Sequence, residues 1–183
     1  MRWRSLTPIL CMGLVALAAA GPLAAKVFLT VDEALHLAFP GCAVERQTIF
    51  LTADQRARAK QLAGSEIKSG LVNPYHATRE GKDAGTAYFD THVVRTLSET
   101  LMIVIDSQGK VARVEVLAFA EPEDYLPPGI WYGQFLGQAL SDDLALGHHI
   151  RSVTGASLTA RATTEAVRRI LALHQVLRSP EKP

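Results

Sequence analysis

Asp106-Ser107-Gln108-Gly109 separates two apolar runs, Thr100 to Ile105 and Lys110 to Ala120, and this punctuation restricts the fold more than any other feature of the chain. Turn-forming residues between two strand-like segments predict a tight antiparallel hairpin. Thr100 to Ile105 is almost continuously apolar, as expected of a central strand covered on both faces. In Lys110 to Ala120 the inward candidates are Val111, Val114, Val116 and Leu117. Upstream, Gly85 to Val94 alternates, with Ala87, Phe89, Thr91 and Val93 on one side and Tyr88, Asp90, His92 and Val94 on the other. Leu71 to Thr78, followed by a turn at Glu80-Gly81-Lys82-Asp83, and Val44 to Leu51 read as further strands. This meander predicts an α+β fold in which helices pack on an antiparallel sheet, a meander or half-barrel, within a single domain.

Three helices are legible from their periodicity and their ends. Thr30 to Phe39 has Thr30 or Asp32 as its cap and Pro40-Gly41 as its stop. Asp54 to Ala63 closes at Gly64 and carries Arg56, Arg58 and Lys60 on a solvated face. Ala160 to Leu177 presents Val167, Ile170, Leu171, His174 and Leu177 at helical spacing, with Arg161, Arg168, Arg169 and Gln175 elsewhere on the wheel.

The N-terminal 25 residues carry a different signal. Arg2 and Arg4 precede the apolar run Ile9 to Ala20, and Ala18-Ala19-Ala20 and Leu23-Ala24-Ala25 offer small-residue cleavage sites. This pattern predicts residues 1–25 as a signal peptide, or an uncleaved anchor, ahead of one domain over 26–183. Without Arg2 and Arg4 the basic residues fall from 19 to 17 against 18 acidic ones, a balance that argues against a nucleic-acid partner. Only Cys42 then remains, so no intrachain disulfide is expected, and the residue reads as an apolar filler.

The stretch Ser152 to Thr159 concentrates hydroxyls at Ser152, Thr154, Ser157 and Thr159 around the small pair Gly155-Ala156, directly before the last helix. First-turn N–H groups lack helical acceptors and the dipole favours an anion there, so a phosphate is the natural guest. The simpler alternative is a Ser or Thr N-cap without a ligand.

Thr154-Gly155-Ala156-Ser157-Leu158-Thr159 resembles the S-G-A-T-x-T motif of the FMN-binding domain family, which includes the flavin subunits of Rnf and sodium-translocating NADH:quinone oxidoreductase complexes. The resemblance implies FMN carried covalently on Thr159 through a phosphoester made by a separate FMN transferase that uses FAD and magnesium. It also implies cofactor contacts from Thr154, Gly155, Ala156, Ser157 and Leu158. Thr154 replaces Ser and Ser157 replaces Thr; Arg151 stands where the family often has Asp and offers the phosphate a cation. Pro128-Gly129-Ile130 loosely resembles part of the E-T-P-G-L-G loop beside the flavin, which brings Gly129 into the candidate site, with Leu126-Pro127 in the Glu-Thr positions.

Trp131, Tyr132 and Tyr125 are candidates to cover the flavin ring, with core packing as the alternative. His92 is a candidate to tune its protonation, or else a hydrogen-bonded structural histidine. Adjacent His148 and His149 point apart, and no metal site is expected. Gly155-Ala156-Ser157 also resembles a nucleophile elbow, but Glu165 and His174 lie on Ser157's own predicted helix and cannot complete a triad. No catalytic residue is therefore assigned. The resemblance and the leader together imply an exported electron carrier in the periplasm or on the outer face of the cytoplasmic membrane. Its partners would be the FMN transferase, a membrane redox protein or quinone-linked complex, and a periplasmic acceptor. The alternatives are a small periplasmic flavin reductase and a non-redox accessory or binding module of the same fold.

Overall fold

The apolar run expected at the centre of the sheet lies there. In the computed structural model, which describes residues 25–179, β7 (Ser98–Ile105) pairs with β6 (Lys82–Val93) on one side and β8 (Val111–Phe119) on the other, both antiparallel. β1 (Lys26–Val27) extends the sheet beyond β8. β5 (Tyr75–Arg79) and then β2 (Ala43–Arg46) extend it beyond β6, completing an all-antiparallel order β1-β8-β7-β6-β5-β2. A separate pair joins β3 (Ile49–Phe50) to β4 (Leu71–Val72). The predicted signal peptide falls almost wholly on residues outside those described.

Both faces of the central strands are covered, which explains why Leu101 to Ile105 is apolar without alternation. One face, with Tyr88, Leu101, Ile103, Ile105 and Val111, packs against α2 (Ala53–Ala63) and α4 (Ser157–Arg178). The other, with Ala87, Met102, Val104 and Leu117, is covered by Ala34, Leu35 and Phe39 at α1 (Val31–Ala38). Tyr88 and Ala87 thus fall on opposite faces, as their alternation predicts. A fourth, short helix, α3 (Gly129–Tyr132), brings Trp131 and Tyr132 into the first core.

Local chemistry accounts for the boundaries. Thr30 and Glu33 form a capping box on α1, so Thr30 rather than Asp32 is its cap. Thr52 and Gln55 do the same for α2, which Gly64 ends in the left-handed conformation. At the central hairpin the Gly109 N–H donates to the Asp106 carbonyl, and Asp106 Oδ1 accepts from the Gln108 and Lys110 N–H groups.

Three expectations change. Val44 to Leu51 is not one strand: β2 joins the main sheet and β3 the small one, with Gln47-Thr48 between them. Leu71 to Thr78 breaks at Asn73-Pro74, where proline removes a ladder donor. The turn at residues 80–83 shrinks to Glu80-Gly81, both with positive φ, as a two-residue hairpin requires, so β6 starts at Lys82.

Candidate functional site

Helix α4 begins three residues earlier than its apolar periodicity predicts, so Thr159 lies inside its first turn. The residue in the cap position is Ala156, and no side chain caps the helix. Ser157 Oγ donates backwards to the Val153 carbonyl at 3.2 Å. Among the described residues, nothing accepts from the N–H groups of Ser157, Leu158 and Thr159. The hydroxyl-rich sequence therefore does not serve as an N-cap, and the helix presents free donors and the positive end of its dipole. Gly155 holds φ 86°, and a Cβ built there would meet no atom within 4 Å, so the backbone before the helix is open to approach.

These donors border a cleft of about 200 Å³ lined by Arg95, Glu121, Tyr125, Gly155, Ser157 and Thr159, among others. Thr159 is 1 % exposed, and its Oγ1 donates to the Tyr125 main-chain carbonyl at 2.6 Å. The Arg95 guanidinium stands 5.7 Å from the centre of the Tyr125 ring and makes no ion pair among the described residues. Glu121 accepts from the Thr96 and Leu97 N–H groups at 2.6 and 2.8 Å, bonds that hold its carboxyl below the usual carboxylate range. The carboxylate is thus occupied with its own loop, and Arg95 remains as a cation for a bound anion.

Of the residues singled out in the sequence, Gly155, Ala156, Ser157, Leu158 and Thr159 share this cleft. Thr154 is exposed outside its lining. Gly129 is also exposed and does not line it. Trp131 is buried, donates from Nε1 to the Arg151 carbonyl at 2.6 Å and packs edge-on against Tyr132 and Phe135. Tyr132 shares that core. Arg151 makes main-chain bonds to Trp131 and Gln134 and does not border the cleft. The cation that borders the cleft is Arg95; it lies in the loop after β6, and no local sequence signal ties it to the helix that starts at Ser157. His148 and His149 are exposed, and no cluster of metal-ligating side chains occurs among the described residues.

His92 occupies a different environment. Its Nδ1 faces Asp90 Oδ1 at 2.8 Å and its Nε2 faces Glu99 Oε2 at 3.1 Å. Asp90 Oδ1 also accepts from Arg169 at 2.9 Å. Glu99 is fully buried and is further bonded by the Thr163 hydroxyl at 3.1 Å and approached by the Tyr132 hydroxyl at 3.5 Å. Burial opposes the charge on His92, but its two carboxyl partners outweigh that and raise its pKa. Burial likewise opposes the charge on Asp90, and the His92 and Arg169 donors bring its pKa below the usual value. Arg168, placed by the sequence simply off the apolar face, donates to the carbonyls of Ala63, Ser141 and Leu144 and ties α2 and the 141–144 loop to α4.

Residues 98–172 match the model of the FMN-binding domain family. Comparison with curated proteins and with solved structures gives no match. The matched segment runs from the start of β7 through most of α4 and contains Thr159, Tyr125 and Glu121.

Proposed function

We propose that this chain, whose residues 98–172 match the FMN-binding domain family, is a flavoprotein that carries FMN through a phosphoester on Thr159. The observation that carries this reading is the uncapped first turn of α4, with its three free N–H groups beside Thr159 and Arg95. A helix start of this kind suits a phosphate. The residues present fit the phosphate end of the cofactor: Ser157, Leu158 and Thr159 offer backbone donors, Gly155 leaves room, and Arg95 balances charge.

The cleft, at about 200 Å³, is smaller than the roughly 300–1,000 Å³ of sites that enclose a drug-sized ligand. It suits the phosphate and the chain next to it, with the ring system outside, where half-exposed Leu158 borders the opening. For esterification the Thr159 hydroxyl must give up the Tyr125 carbonyl, so the loop from Glu121 to Gly129 has to move away from the helix.

Bound FMN supplies one- and two-electron chemistry; the chain supplies anchorage and exposure. Micromolar affinity is about −8 kcal/mol, too little to retain a cofactor where free flavin is scarce, and a covalent bond removes that problem. In this reading the protein is exported through residues 1–25 and modified by an FAD- and magnesium-dependent FMN transferase: the Thr159 oxygen, losing its proton, displaces AMP from the FMN phosphorus of FAD. It then passes electrons between a membrane redox protein or quinone-linked complex and a periplasmic acceptor.

The burial of Thr159 and its bond to Tyr125 favour one competing reading, a non-redox accessory module of the same fold. Co-expression with an FMN transferase separates the two. The carrier retains yellow colour after denaturation and gains the mass of FMN less water, while Thr159→Ala stays colourless at the unmodified mass. A wild-type protein that stays colourless beside an active transferase establishes the accessory module instead.

A further inference from the structure

β6 is longer than the strand beside it. β5 accompanies it only as far as the pair Tyr75–Ala87, while β7 continues along its other side to Val93. Among the described residues, no strand pairs with the β5-side edge of β6 from Tyr88 onwards. The consecutive residues Tyr88 to His92 along this stretch line a cleft of about 400 Å³, closed opposite by the segment Ile67 to Asn73 and along one side by Arg169, Ile170 and Leu173 of α4. Its size falls within the ~300–1,000 Å³ typical of small-molecule sites. It shares no lining residue with the cleft at Thr159.

Apolar side chains from both walls, including Ile67, Val72, Tyr88 and Leu173, form the body of the cleft. Tyr75 and Phe89, packed edge to face on the other side of the strand from Tyr88, add aromatic surface for a flat guest. The polar groups are unevenly charged. Arg169 pairs with Asp90, and His92 lies between Asp90 and Glu99. Arg46 and Lys68 add two positive charges, and among the described residues neither has a carboxylate within ion-pair distance. Arg169 uses only Nη2 on Asp90, so its Nε and Nη1 have no acceptor among the described residues. A partly buried guanidinium with free donors on one face of β6, two further cations and an unpaired strand edge border one largely apolar cleft.

We propose that this cleft binds a small aromatic anion, a flat fused-ring body bearing one carboxylate or sulfonate. The rings lie between β6 and the 67–73 segment, and the acidic group lies at the rim that Lys68, Arg46 and Arg169 make positive. The proposal does not depend on the flavin reading, because it concerns a separate cleft and is tested on protein made without a transferase.

The probe is 2-naphthoate, titrated into the full chain after export and followed by amide chemical shifts. Saturable binding is expected, with shifts at Ser69, Val72 and Thr91. Binding weakens about tenfold or more with neutral 2-naphthamide, and equally in Arg46→Ala/Lys68→Ala. Both replaced side chains are exposed, so the variant folds, which its circular dichroism verifies. Naphthamide binding as well as naphthoate, shifts confined to other surfaces, or no saturation by about 10 mM each overturns the proposal.

Discussion

The Thr159 hydroxyl donates to the Tyr125 carbonyl at 2.6 Å, so a single main-chain oxygen closes the Pro-rich loop after β8 onto the first turn of α4. Replacing Thr159 by Val keeps the shape and removes the donor, leaving the carbonyl without its partner. The expected cost is about 1 kcal/mol, read from urea unfolding, while Thr159→Ser stays close to wild type. Loss in Thr159→Ser with none in Thr159→Val would show that the methyl group, not the hydrogen bond, secures the loop.

Glu99 and His92 make the most deeply buried histidine–carboxyl contact described. Glu99→Leu leaves His92 without a partner on one ring nitrogen, and a loss of about 3–5 kcal/mol is expected. The double variant Glu99→Leu/His92→Leu replaces both by apolar groups and recovers most of that loss. A fully additive double variant would mean that the two side chains contribute independently.

Two histidines tilt the pH dependence of stability in opposite directions. His92 has a folded pKa above 6.5, so its contribution is complete below that pH and disappears as pH rises through the folded value. His174 is lowered to about 4, chiefly by burial and then by Arg178. Its contribution is present above pH 6.5 and is lost as pH falls towards 4. Urea midpoints measured from about pH 4 to about pH 9 should fall on both sides of a maximum. His174→Leu should flatten the acid limb and His92→Leu the alkaline one; unchanged limbs would assign the profile to other groups.

Gly85 has φ 124°, and a Cβ there would approach the Ile105 carbonyl oxygen to 2.7 Å. Both its conformation and this main-chain contact penalise a side chain. Gly85→Ala is expected to destabilise the protein by about 2 kcal/mol, whereas Gly81→Asn, at a solvent-facing turn with φ 75°, should cost far less. Calorimetric melting of the two variants checks the contrast.

The sheet was legible where sequence carries periodicity or punctuation. Thr100 to Ile105, Asp106 to Gly109, Thr30 and Gly64 all took the roles their chemistry predicts. Val44 to Leu51 was not, because alternation identifies a strand without saying which neighbour it joins. The helix-start half of the candidate site was readable because Gly155 to Thr159 are contiguous. Arg95, Glu121 and the carbonyl of Tyr125 reach it from distant loops, and only the antiparallel return of β6, β7 and β8 assembles them. His92 appeared as one residue of an alternating strand; its partners Asp90 and Glu99 became visible only with the register that sets His92 opposite Glu99.

Thr159 and Thr163 stand one turn apart on α4, yet they look onto opposite electrostatic surroundings. The Thr163 hydroxyl is committed to the carboxyl of Glu99, which already faces His92, and both Thr163 and Glu99 are fully buried, so a second negative group would find no room. Side chains of a helix lean towards its N-terminus, so anything attached at Thr159 emerges past Gly155, towards unengaged amides. A slip of a single helical turn would thus turn a position that faces open amide donors into one that faces a buried carboxyl.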